Sequence, residues 1–145
     1  MSARTVPAGE LVLRVVGTVL VVLAAMELTL IECYLVPLRV GSVPLPVSVL
    51  LAVVGNVLAA RLTARVGGVA ALAAVPAVLW LVTVLVLAVP RAEGDLVVPG
   101  TLTGLVFLFA GSVAGAFGVG TALTRSRRPA PEQPAPDRSA PVARG

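Results

Sequence analysis

Histidine and lysine are both absent from this chain of 145 residues, cysteine occurs once, and aromatic side chains make up only 3 % of it. Each absence removes chemistry. Without histidine there is no imidazole acid/base catalyst, and without lysine no Schiff-base nucleophile. The lone Cys33 permits neither an intrachain disulfide nor a Cys/His zinc site. Charge is scarce as well, at 12 % of residues. What fills the chain instead is apolar: 58 % of it is hydrophobic. A soluble domain this short would have to leave much of that surface in wide exposed patches. An ordinary soluble enzyme is excluded, and the bilayer becomes the expected solvent.

A helix crossing roughly 30 Å of hydrocarbon needs about 20 apolar residues. Four runs of that kind are present, at about 11–38, 45–62, 67–89 and 96–123. Pro44 and Pro46 open the second, which Arg61 and Arg65 close, and the fourth contains no charge. Short links between them favour antiparallel neighbours. The expected fold is therefore all-α: a polytopic, antiparallel bundle of four transmembrane helices over 11–124, preceded by a cytoplasmic N-terminus at 1–10. The apolar run around Ala24 and Ala25 has a poor signal-peptide cleavage pattern and resumes after Glu27, so it is taken as a retained span.

The charge of +4 comes from eleven arginines against seven acids. The enrichment in Ala, Val, Gly, Pro and Arg follows high-GC codon usage, so arginine identity alone says little. Its placement says more. Arg4, Arg14, Arg61, Arg65, Arg125, Arg127 and Arg128 flank one side of the spans, and only Arg39 and Arg91 flank the other. The positive-inside rule then places both termini in the cytoplasm and the protein in the cytoplasmic membrane. Anionic lipid of that leaflet accounts for the basic surplus, so no nucleic-acid partner is expected. Residues 125–145 carry five prolines and almost no large apolar side chain, the composition of a disordered tail.

Few polar residues fall inside the spans, and those few are the candidate site. Glu27 lies roughly 20 Å from Arg14 along a helix rising about 1.5 Å per residue, some two thirds of the way across. A carboxylate there is expensive and is expected to face the bundle interior with a partner or a proton. Asn56 on the second span and Thr83 on the third lie at comparable depth, so Glu27, Asn56 and Thr83 form an expected intramembrane polar pocket. Such a pocket serves as glue between helices, as a proton- or ligand-binding carboxylate, or as a dock for a polar residue of a partner. Glu32 and Tyr34 are expected at the outer headgroups, with Glu27 and Glu32 on different faces. Trp80, near Pro76, is expected to pack beside a bend.

Outside the hydrocarbon, Arg91, Glu93 and Asp95 flank Gly94 in the densest charged turn between spans, either a solvated turn or an outward recognition element. Two carboxylates there fall short of the six or more oxygens of a calcium site, and no metal or cofactor is expected. On the fourth span Gly104, Gly111, Gly115 and Gly118 form a stripe along which backbones approach closely. It serves packing within the bundle or an interface with a second copy.

The Arg-x-Glu-Gly-Asp turn at 91–95, Gly100, Gly104 and the Phe107-Leu108-Phe109-Ala110-Gly111 run resemble a family of small, uncharacterised four-span membrane proteins of high-GC Gram-positive bacteria. The likeness covers about a third of the chain. It implies an envelope or thiol-metabolism setting, since members are often encoded beside a deacetylase of mycothiol biosynthesis, and it supplies no functional residues. Met26-Glu27-Leu28-Thr29 is similar in kind to the first span of the small multidrug resistance transporters, which carry an essential carboxylate there. The low aromatic content departs from the aromatic walls a cation pocket wants. The expected function is a structural or accessory subunit of a cell-envelope complex, contacting a membrane-protein partner or a second copy. A small oligomeric proton-coupled transporter or channel is the alternative. Enzymatic activity is not expected, because no nucleophile sits beside a base.

Overall fold

The structure, a computed structural model, describes residues 7–40, 43–89 and 100–126. It is all-helical apart from one two-stranded turn, with four helical segments each long and apolar enough to cross a membrane. Helix α1 spans Ala8–Leu35, α2 Val47–Gly67, and α4 Leu102–Ser126; between the last two, a 3-10 turn at Ala70–Ala73 runs directly into α3, Ala74–Leu87.

The boundaries follow from local chemistry. Helix α1 ends just before Pro37, whose ring disfavours helical geometry in the residue ahead of it, three residues short of the expected limit. Strands β1 (Arg39–Val40) and β2 (Val43–Pro44) then pair antiparallel, Arg39 with Pro44, and the Leu45 amide extends the turn by donating to the Leu38 carbonyl at 3.1 Å. Helix α2 runs five residues beyond the expected Leu62. Arg61 and Arg65 do not stop it, because arginine is a good helix former. Gly68 does, at φ 71°, a left-handed position open to glycine, and its amide donates to the Ala64 carbonyl at 3.1 Å. Pro76 falls in the first turn of α3, where a missing amide costs little. Thr101 begins α4: its hydroxyl accepts from the Gly104 amide at 3.4 Å. Gly100 therefore precedes the helix.

Helix α2 is the centre of the molecule, packed against α1, α3 and α4, and its interface with α4 is the most extensive. The α1 and α2 backbones run in opposite senses, since Gly17 lies against Val66, Gly67 against Thr18, and Gly55 against Leu28. The glycine stripe forms the α4 side of the core. Gly104, Gly111, Gly115 and Gly118 are all buried; a Cβ at Gly118 would stand 2.9 Å from that of Ala60, and one at Gly115 would stand 3.3 Å from that of Ala77. The stripe thus serves packing within one chain. By contrast α1 touches α2 and α3 and leaves most of its own surface outside, including Leu20, Leu23, Leu30, Ile31 and Tyr34.

Candidate functional site: a buried carboxyl and an outward-facing one

Helix α1 carries two carboxyl groups, and the structure exchanges their expected places. Glu27, expected in the interior, is exposed, in a shallow surface depression with Leu30, Ile31, Tyr34 and Leu35. Glu32, expected among solvated headgroups, is 1 % exposed. The two do lie on different faces.

The reason is the distribution of side-chain size around α1. Residues three, four and seven positions from Glu27 are Leu20, Leu23, Ala24, Leu30, Ile31 and Tyr34, all exposed and all large except Ala24. Residues at the same spacing from Glu32 are Ala25, Leu28, Thr29, Leu35, Val36 and Arg39; Thr29 and Val36 are buried along with Cys33, Ala25, Leu28 and Leu35 are half-buried, and Arg39 lies beyond the end of the helix. Small side chains let helices approach, so the face with Thr29, Glu32 and Cys33 turns inward and takes the acid with it. The sequence carries this signal in part, because Leu28 and Leu35 border the same face.

Around Glu32 three helices contribute. The Trp80 indole nitrogen on α3 donates to its Oε2 at 2.8 Å. Its Oε1 lies against Gly55 of α2, where a Cβ would approach to 2.9 Å. Trp80 in turn makes a tilted aromatic contact with Phe107 of α4, ring centroids 5.4 Å apart and planes inclined at 54°. Both rings are buried, Trp80 at 3 % exposure and Phe107 at 0 %. Trp80 is therefore a hydrogen-bond donor at the centre of the core as well as the packing residue expected from the sequence. Beside the carboxyl is a cavity of about 10 Å³, bordered by Thr29, Asn56, Ala59 and Pro76, about the room one water requires.

The other two members of the expected pocket separate. Asn56 is buried and donates from Nδ2 to the Gly111 carbonyl of α4 at 3.2 Å. It borders the same small cavity as Glu32 but not Glu27. Thr83 is half-buried, and its hydroxyl points to the Met26 sulfur at 3.9 Å, a weak acceptor. The expected Glu27–Asn56–Thr83 pocket is therefore replaced by a Glu32–Trp80 pair with Asn56 alongside. Arg91, Glu93 and Asp95 lie outside the described residues, as does the tail beyond Ser126. Among the described residues no three metal-ligating side chains cluster.

No protein-family model, curated protein or solved structure matches the chain. The site must be read from its own geometry. Asn56 ties α2 to α4 with one bond to a carbonyl already engaged within its helix, and such bonds contribute about 1 kcal/mol in membrane proteins. Asn56→Ala is expected to lower unfolding free energy by about that amount, measured by denaturant titration of the purified protein while following Trp80 emission.

Proposed function

We propose that the chain is a polytopic protein of the cytoplasmic membrane, an antiparallel four-span bundle with both termini inside, and that it acts as a structural or accessory subunit of a cell-envelope complex. Membership of the small four-span family that the 91–95 turn and the 100–111 segment resemble is part of this proposal. The orientation is supported by the described arginines. Arg14, Arg61, Arg65 and Arg125 gather at one end, where the start of α1 meets the ends of α2 and α4, while Arg39 stands at the other.

The observation that carries the subunit reading is Glu27. It stands on a face of mostly large apolar side chains that no other described helix covers. An ionised carboxylate facing lipid costs about 3 kcal/mol on insertion scales. A partner helix offering a hydrogen-bond donor or a cation removes that cost, and Glu27 with Leu30, Ile31 and Tyr34 is the surface it would cover.

The test is photocrosslinking in native membranes with a reactive residue at Leu23 or Leu30. One protein adduct is expected, reduced about tenfold by Glu27→Leu, as follows from a loss of about 1.4 kcal/mol. Adducts to lipid alone would overturn the subunit reading.

The buried Glu32, at a cavity of about 10 Å³, favours the second reading, proton-coupled transport. That reading requires Glu32→Gln to abolish proton flux in liposomes while the α1 adduct is unchanged.

A further inference from the structure

The arginine-rich end of the molecule contains a cleft of about 270 Å³ between the last turns of α2 and α4. Its walls are small: Ala64, Gly68, Ala70 and Ala122 leave the space that larger side chains would fill. Its charged residues are Arg61, Arg65 and Arg125, with no acid among the residues that line it. Arg65 and Arg125 are exposed at the rim, whereas Arg61 is half-buried, a turn deeper on α2.

Two further observations concern its charge. The Arg61 Nε–H is enclosed by protein and has no acceptor among the described residues, so the terminal N–H groups of its guanidinium are the ones a molecule in the cleft would meet. The ion pairing at this end is also already spent elsewhere. Glu10, the described acid of this end, is paired with Arg14 at 2.5 Å, and it is the only salt bridge among the described residues. The Arg14 guanidinium lies over Gly68 at the edge of the cleft, its charge compensated by Glu10, which leaves Arg61, Arg65 and Arg125 as the cations of the cleft. Three arginines from two helices line one small-walled cleft, and the paired N–H groups of a guanidinium fork are the donors that a tetrahedral oxyanion accepts.

We propose that this cleft binds a phosphate group, Arg61 forming its floor and Arg65 and Arg125 its rim. Basic pockets between helices at the cytoplasmic surface are where anionic headgroups are held, so an anionic phospholipid of the inner leaflet is the source that the membrane-spanning reading supplies. The assignment to lipid rests on that reading, while the phosphate chemistry does not. The ends of α2 and α4 present carbonyls that partly offset the arginine charge, so the specific contact is assigned to the guanidinium forks.

The full-length protein in detergent is equilibrated with equal amounts of phosphatidylglycerol and phosphatidylcholine, and retained lipid is read by native mass spectrometry. The wild type is expected to prefer phosphatidylglycerol. Arg61→Gln reduces the preference about tenfold, and Arg39→Gln, at the opposite end, leaves it intact. Trp80, the single tryptophan, reports folding of each variant by its emission. If Arg61→Gln fails to fold, the exposed pair Arg65→Gln/Arg125→Gln is expected to give the same loss. A second arm offers inorganic phosphate without lipid. A rise in Tm that Arg61→Gln removes supports the site with a soluble anion as its source. Equal retention of both lipids with no response to phosphate overturns the proposal, as does an equal loss in Arg39→Gln. Alkaline washing of native membranes separates the two ideas. Release of the chain overturns the spanning reading, and the phosphate arm then decides the cleft alone; retention without lipid or phosphate response overturns only the cleft.

Discussion

Gly111→Ala is expected to lower unfolding free energy by about 2 to 3 kcal/mol, and Gly111→Leu to prevent recovery of folded protein. A Cβ at this position would collide with the six-membered ring of Trp80. The indole has little room to retreat, because Glu32 holds its nitrogen at 2.8 Å and the Phe107 ring packs against it with centroids 5.4 Å apart. Shifting α4 outward instead would stretch the Asn56 bond to the Gly111 carbonyl, now 3.2 Å. Gly120→Ala is the control. Gly120 lies on the same helix with nothing near a prospective Cβ, so alanine there relieves the helix-interior penalty of glycine and is expected to stabilise by up to about 1 kcal/mol. Denaturant titrations of the two variants, followed by Trp80 emission, should move in opposite directions. A similar small change in both would mean that α4 does not approach α3 as closely as the structure places it.

The architecture was legible because it depends on length and solvent preference, which are additive along a chain. Four runs long enough to cross a membrane became four helical segments. Their ends were legible only where backbone chemistry is decisive. Pro37 and Gly68 stop their helices, whereas Arg61 and Arg65, expected to close the second run by charge, are carried on α2 to Gly67. Charge marks where a helix meets the headgroups; it does not break the hydrogen-bond ladder.

The polar site is harder to read because depth along a helix is fixed by residue count, whereas which of two faces turns inward is fixed by packing. Glu27 and Glu32 differ by about 7 Å along the axis, and the deeper one was expected to be the internal one. Rotation decides burial. The 3.6-residue period groups Glu27 with Leu23, Ala24, Leu30, Ile31 and Tyr34, and Glu32 with Ala25, Leu28, Thr29, Leu35 and Val36, and the face that includes Thr29, Glu32 and Val36 is the one turned inward. Trp80 could not be assigned as the donor to Glu32 from the sequence, since the two are 48 residues apart and meet only through the packing of α1 on α3. The glycine stripe, by contrast, was legible as a close-packing surface, and the structure decides that it faces α2 and α3.

The Glu32–Trp80 pair gives the second large effect. Trp80→Phe is expected to destabilise by about 3 kcal/mol, combining the donor lost from a buried carboxyl with the volume lost against Gly111 and Phe107. Glu32→Leu removes the acceptor and leaves the indole N–H unsatisfied in the core, at a cost of about 2 kcal/mol. In the double variant neither orphan remains, and an apolar pair fills the space. Breaking one side of a buried polar pair is costly, while replacing both sides by packed apolar groups is often close to neutral. The double variant is therefore expected to recover to within about 2 kcal/mol of the wild type, a coupling of about 3 kcal/mol between the two positions. Purely additive losses would show that the 2.8 Å contact contributes nothing to stability. Because Trp80 is the fluorescent reporter, these titrations are followed by circular dichroism at helical wavelengths. The same variants bear on function. If the folded double variant keeps the α1 crosslink at Leu30, Glu32 is a structural element of the core. Glu27, whose carboxyl the core does not enclose, is then the acid left for a partner to meet.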